Sequence, residues 1–237
     1  MPELPEVETV RSGLARLLLG LEIKKVDFDW PKSFPNDPNI VSHFMFGTKV
    51  IAVRRRAKVL IIDLASEYSV VIHLKMTGQL VYRSDNSRFG AGHPNDSLIG
   101  NLPDKSTRVT VEFTDNSYLF FNDQRKFGWM RLMPTIEVEN LDFFKRVGPE
   151  PLTSEFTWQV LRDRMKRRKN SNIKAVLLDQ TILAGIGNIY ADESLWGAKI
   201  HPETTVADLS DAKIKLLHQA IQYVLRSAIE KGGSTDK

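Results

Sequence analysis

Cysteine is absent from this chain of 237 residues, which removes disulfides, thiolate catalysis and cysteine-ligated zinc from consideration. Long apolar runs are missing too. No stretch approaches the roughly 20 apolar residues of a membrane span, and the N-terminus lacks the basic start and apolar run of a signal peptide. The expectation is a cytoplasmic chain with no membrane partner. A strong excess of one charge is also lacking: 33 Lys and Arg against 29 acids leave a net charge of +4, which permits a polyanionic partner without requiring one. The basic residues are bunched in "RRRAK" (Arg54 to Lys58) and "RDRMKRRKN" (Arg162 to Asn170), while most acids are scattered. The second run reads equally as a solvated face or as a contact for a polyanion.

What is present divides into two periodicities. Val7, Val10, Leu14 and Leu17 to Leu19 recur at helical spacing and stop at Gly20, as in a helix packed on a core. Seven short segments follow, "EIKKVDFDW", "KVIAVRRR", "KVLIIDL", "SVVIHLKM", "RVTVEFTD", "SYLFFND" and "GWMRLM", rich in β-branched and aromatic residues and separated by turn formers. They predict a sandwich or barrel with the first helix on it, and "FTDNSYLFF" offers a hairpin turn at Asp115-Asn116. Residues 83 to 105 are polar and glycine-rich and read as one long loop. Near "RVGPEPL" (146 to 152) the pattern turns helical, with segments at 155–168, 173–180, 188–197 and 209–231. The fold class is therefore α+β, with a sandwich domain at 1–134, a linker at 135–150 and an all-α domain at 151–237.

Two local patterns carry chemistry. The opening "MPELPEVETV" places Pro2 where trimming of Met1 leaves a secondary amine. An α-amino group titrates near pKa ~8, so a neutral, nucleophilic fraction exists at neutral pH. Glu3 beside it is a candidate for moving protons. The same Pro-Glu pairs also suit the first turn of a helix, and the residues alone leave both readings open. In "LLDQTILAGIGNIYADESL", Gly185 and Gly187 make a sharp turn into a helix near Asn188, an arrangement that aims backbone N–H groups at a phosphate.

Taken together, "PELPEVET", "RRRAKVL", "HLKMTGQL", "NDQRKFG", "VGPEPL", "IKAVLLDQ" and "AGIGNIYADESL...IHP" resemble the formamidopyrimidine-DNA glycosylase family, bacterial enzymes that remove oxidised purines. The resemblance implies an N-terminal β-sandwich flanked by helices and an all-α helix-two-turn-helix domain. It implies a bifunctional glycosylase and lyase for 8-oxoguanine and formamidopyrimidines. Pro2 would attack C1′ and form a Schiff base, with Glu3 shuttling protons, Lys58 contacting phosphate or base near the reacting sugar, and Glu6 supporting the site. Met76, Arg125 and Phe127 match the residues that fill the void left by the extruded base, Asn188 matches a phosphate contact, and Lys174 a lysine of the DNA-binding groove. Glu193 matches a carboxylate near the active site, and His73 reads as a structural residue. Without the resemblance, Met76 and Phe127 read as core residues at strand ends. The expected partner is damaged double-stranded DNA, bound by a monomer. The competing readings are a non-catalytic binder of lesions or abasic sites, and a generic nucleic-acid module whose binding falls steeply with salt.

The sequence also departs from the family pattern. Relatives continue past "GGST" through a mobile loop and a four-cysteine zinc finger, so here the finger is expected to be absent, with no metal and no cofactor. Lys75 and Ala57 stand where glycines are usual, and Ser106 and Arg108 where histidines are common. Lys75 and Arg108 are read as added positive charge that partly compensates for the finger's missing phosphate clamp.

Overall fold

The computed structural model describes residues 1–233, so the last four residues of the expected 151–237 domain lie outside it. Two compact units divide the chain: one takes residues 1–2 and 6–141, the other residues 3–5 and the chain from Asp142 onward.

The first unit is a two-sheet antiparallel sandwich. Nine strands run in chain order: β1 (Ile23–Phe28), β2 (Val50–Arg56), β3 (Val59–Leu64), β4 (Tyr68–His73), β5 (Gly78–Arg83), β6 (Arg88–Gly92), β7 (Thr107–Phe113), β8 (Tyr118–Asp123) and β9 (Trp129–Pro134). One sheet has the order β1-β7-β8-β5-β6 and the other β2-β3-β4-β9. Helix α1 (Leu4–Leu18) buries Val7, Val10, Leu14 and Leu18 in the core that fills the sandwich, and α2 (Pro38–Phe44) adds Val41. All six residues of β3 are buried, as the apolar run "VLII" demands of a strand covered on both faces, and the buried Asp63 within it accepts from Arg54 and Ser69.

Two strands escaped the reading from sequence. β5 and β6 form a hairpin in which Arg83 pairs with Arg88 and Gln79 with Gly92, so residues 83 to 105 are not one long loop. β6 ("RFGAG") has no β-branched residue to announce it. Its place comes from Phe89, whose ring lies so close to α1 that a Cβ on Gly13 would come within 2.1 Å of it. The expected hairpin at Asp115-Asn116 is present, with Asn116 in left-handed backbone (φ 64°). The expected linker 135–150 holds a 3-10 turn at Thr135–Asn140 and helix α3 (Asp142–Arg146).

The second unit is helical: α4 (Trp158–Met165), α5 (Ile173–Leu178), α6 (Asn188–Ala198) and α7 (Asp211–Glu230). Ile214, Leu217, Ile221 and Leu225 of α7 recur at helical spacing and are buried with Leu161, Met165, Val176, Leu177 and Leu195. Thr157, Asn172 and Ser210 cap α4, α5 and α7 with their own side-chain oxygens. Helix α6 begins at Gly187, which has none to offer.

Gly13→Ala would force a Cβ into the Phe89 ring and is expected to destabilise the protein by about 1–3 kcal/mol in urea unfolding. Adding Phe89→Ala should return part of that loss, because the clash disappears with the ring.

Candidate functional site

In the first unit, the site is built from connections at the ends of strands. The β2–β3 hairpin turns at Ala57 and Lys58, with Ala57 in left-handed backbone (φ 53°), the conformation that makes glycine usual there. Lys75, the other replacement of a usual glycine, also has positive φ (54°). The hairpin is tied to α1 through Arg55, which donates to Glu8 (2.9 Å) and to the carbonyl of Ala57 (2.8 Å). Burial raises the Glu8 carboxyl, but hydrogen bonds and charge from Arg11 and Arg55 outweigh it and hold it below the ordinary value. Lys58 is 8% exposed, and Pro2 and Glu6 are buried.

Two further turns follow from the topology. β4 pairs with β9 in one sheet and β5 with β8 in the other. The β4–β5 and β8–β9 connections both cross between sheets, and so lie side by side. The first presents Met76 (39% exposed), the second Phe127 (56% exposed) beside an exposed Arg125. The reading of Met76 and Phe127 as core residues is thereby overturned. The Arg125 guanidinium lies 5.0 Å from the centre of the Phe127 ring, and the Lys126 ammonium 4.4 Å from that of Trp30.

His73 ends β4 opposite Trp129. Its Nδ1 accepts the N–H of Lys75 (3.0 Å). Burial, then the charges of Lys75 and Lys58, push its pKa down to about 3, so the imidazole is neutral at neutral pH. This agrees with a structural residue. Arg108 requires a correction. It is 4% exposed, its guanidinium is paired with Asp29, and it donates to the carbonyls of Lys105, Ser106 and Asp123. Its charge is spent inside the fold and offers no phosphate clamp.

In the second unit, Glu3 supplies the cap that α6 lacks. Its carboxylate accepts N–H groups from Gly187 (2.7 Å), Ile189 (3.0 Å) and Tyr190 (3.4 Å). A Cβ on Gly187 would stand 2.4 Å from the Glu3 carboxylate, so the glycine makes room for this contact. Gln180 fixes the preceding turn by accepting from Gly185 N–H (2.9 Å) and donating to the Ile186 carbonyl (2.7 Å). The N–H groups read as a phosphate nest thus already hold an anion. What the turn offers outward is the exposed side chain of Asn188. Glu3 directly precedes α1, and its carboxylate caps a distant helix. Lys174, on α5, forms an ion pair with Asp192 of α6 at 2.8 Å, and Glu193 is exposed. In the basic run, Arg168 pairs with Asp179 and Arg164 donates to the Thr181 carbonyl, so two of its cations brace the turn between α5 and α6.

A family model described as the formamidopyrimidine-DNA glycosylase N-terminal domain matches residues 1–130, and one described as its H2TH domain matches residues 147–237. The chain belongs to the formamidopyrimidine-DNA glycosylase family. It is 41% identical over 236 residues to the formamidopyrimidine-DNA glycosylase of Chloroflexus aurantiacus, covering 99% of this chain and 79% of the relative. To that of Bacillus licheniformis it is 42% identical over 238 residues, covering 99% and 80%. The Lactococcus lactis glycosylase bound non-covalently to DNA with an abasic site superposes with a TM-score of 0.84 at 33% identity, covering 98% of this chain and 83% of that one. A complex of the same bacterium's enzyme with DNA containing an N7-benzyl formamidopyrimidine superposes at 0.85 with 34% identity, covering 100% and 82%. The zinc finger expected of the family needs cysteines this chain does not have. Among the described residues no three His, Asp or Glu side chains gather as a metal site, so the residues present do not fit that zinc.

The depressed His73 pKa has a stability consequence. Between pH ~3 and ~6.5 the unfolded chain binds a proton that the folded one does not, so folding stability rises with pH across that window and levels off above it. His73→Asn should remove up to about 1.4 kcal/mol per pH unit of that dependence, read as the difference between wild-type and variant melts from pH 4 to 7.

Proposed function

We propose that this base-excision DNA glycosylase is bifunctional, removing oxidised purines such as 8-oxoguanine and formamidopyrimidines and then cleaving the strand. The observation that carries the reading is the pair of adjoining turns that present an exposed phenylalanine, methionine and arginine together. Extruding a base costs a few kcal/mol and leaves a void. An apolar wedge and a guanidinium donor are suited to filling it and to pairing with the orphaned base. Phe127 and Met76 take the first role and Arg125 the second.

Once Met1 is removed, the Pro2 nitrogen attacks C1′. The bond from C1′ to the base breaks with its electrons going to the base, which takes up a proton. The sugar ring then opens to give an iminium linked to Pro2. Loss of a C2′ proton expels the 3′ phosphate, a further elimination expels the 5′ phosphate, and water releases the sugar remnant and restores the amine. Glu3, next to Pro2 in the chain, moves protons in these steps. Lys58 contacts phosphate or base beside the sugar, Glu6 supports the site, and Lys174 and Asn188 bind phosphates. In this reading residues 1–134 form the catalytic domain, 151–237 grip DNA, and 135–150 link them. The protein works as a monomer in the cytoplasm without metal or cofactor. No helix among the described residues is long and apolar enough to cross a membrane.

Borohydride treatment with a duplex carrying 8-oxoguanine opposite cytosine should trap a covalent adduct. Pro2→Gly and Glu3→Gln should each reduce trapping by at least about a hundredfold. No adduct on this lesion or on an abasic site, with Met1 shown by mass to be absent, would instead establish a non-catalytic binder. Lys174→Ala should lower the slope of log affinity against log salt by about one. Asp192→Asn should raise affinity, since it removes the carboxylate that competes with phosphate for Lys174.

A further inference from the structure

The two turns that carry the void-filling side chains are joined by one hydroxyl. Thr77 closes the β4–β5 turn directly after Met76. Its Oγ1 donates to the carboxylate of Asp123 and accepts the N–H of Arg125 at 3.2 Å. Asp123 ends β8, is 1% exposed, and accepts the N–H groups of Arg125 (3.2 Å) and Gly128 (2.6 Å), which bracket the wedge turn. A buried carboxylate needs donors, and here they come from both turns.

We propose that the Thr77 hydroxyl, seated on Asp123, is a positioning group that makes the Met76 turn and the Arg125–Phe127 turn act as one body, so that the three side chains enter the duplex together. This rests on the DNA-repair reading of those three residues. A hydroxyl suits the role because it donates and accepts at once, offering a donor to Asp123 and an acceptor to Arg125. Valine has the same shape and can do neither. The contact sets no part of the pairing of β5 with β8, which the backbone ladder supplies by itself, so what it adds is a link between the turns.

The test is a double-mutant cycle on the full chain. Binding is measured to a duplex with one tetrahydrofuran abasic analogue opposite cytosine, for Met76→Ala, Phe127→Ala and the pair, with Thr77 intact and with Thr77→Val. With Thr77 intact, each single change should weaken binding about tenfold, and the pair by little more, because losing either side chain already spoils joint insertion. With Thr77→Val the two losses should multiply to about a hundredfold, and Thr77→Ser should restore the coupling. Coupling that survives unchanged in Thr77→Val overturns the inference while leaving the role of the three residues intact. Binding indifferent to both Met76→Ala and Phe127→Ala overturns that role, and the inference with it. Should Thr77→Val fail to fold, Thr77→Ala at this partly exposed position carries the same test.

Discussion

The sandwich rests on one constraint of connectivity: β4 lies against β9 in one sheet and β5 against β8 in the other. Any chain threaded that way must cross between sheets twice at the same place, after β4 and after β8. The crossings cannot be wide, because packed sheets lie only about 10 Å apart. Short turns at such a crossing have no room to fold their middle residues inward. Met76 and Phe127, apolar though they are, are pushed out to solvent, and the buried atoms at the base of the turns are polar ones that satisfy each other.

The second unit solves a different problem. Helix α6 starts with four N–H groups that its own helix cannot pair, and its first residues supply no side-chain cap. A carboxylate from the far end of the chain, Glu3, takes that place. Leu4 donates its N–H to the Gly185 carbonyl at 3.0 Å, and Gly185, at φ 83°, has its missing Cβ position filled by the Leu4 side chain. The glycines of the turn therefore serve the N-terminal segment. The left-handed backbone of Gly185 and the missing Cβ of both glycines let residues 3–5 lie against the turn.

Several features were legible because they are local. The 3.6-residue spacing of Val7, Val10, Leu14 and Leu18 marks a helix wherever it packs, and the β-branched runs of β2, β3 and β4 mark strands. β6 was not legible, because it is placed by the packing of its Phe89 over Gly13, some seventy-five positions away, rather than by a β-branched or alternating pattern of its own. Arg108 was misjudged for a related reason. In β7 an arginine is equally plausible facing water or facing in, and only the placement of Asp29 and the carbonyls of Lys105, Ser106 and Asp123 turned it inward.

The ordered motifs and their residue types were enough to fix the family and to nominate Pro2, Glu3, Met76, Arg125 and Phe127, because chemistry of this kind depends on which functional groups a chain carries and in what order. The sequence by itself also determined that no cysteine ligand is available. Only the tertiary structure decided what each group has left to offer. It gave the N–H groups of Gly187, Ile189 and Tyr190 to Glu3 and the charge of Arg108 to Asp29, and it set Thr77 between two turns, on a carboxylate forty-six positions away. A side chain's free valence is settled by its neighbours, and those neighbours come from remote segments brought together by burial and strand pairing.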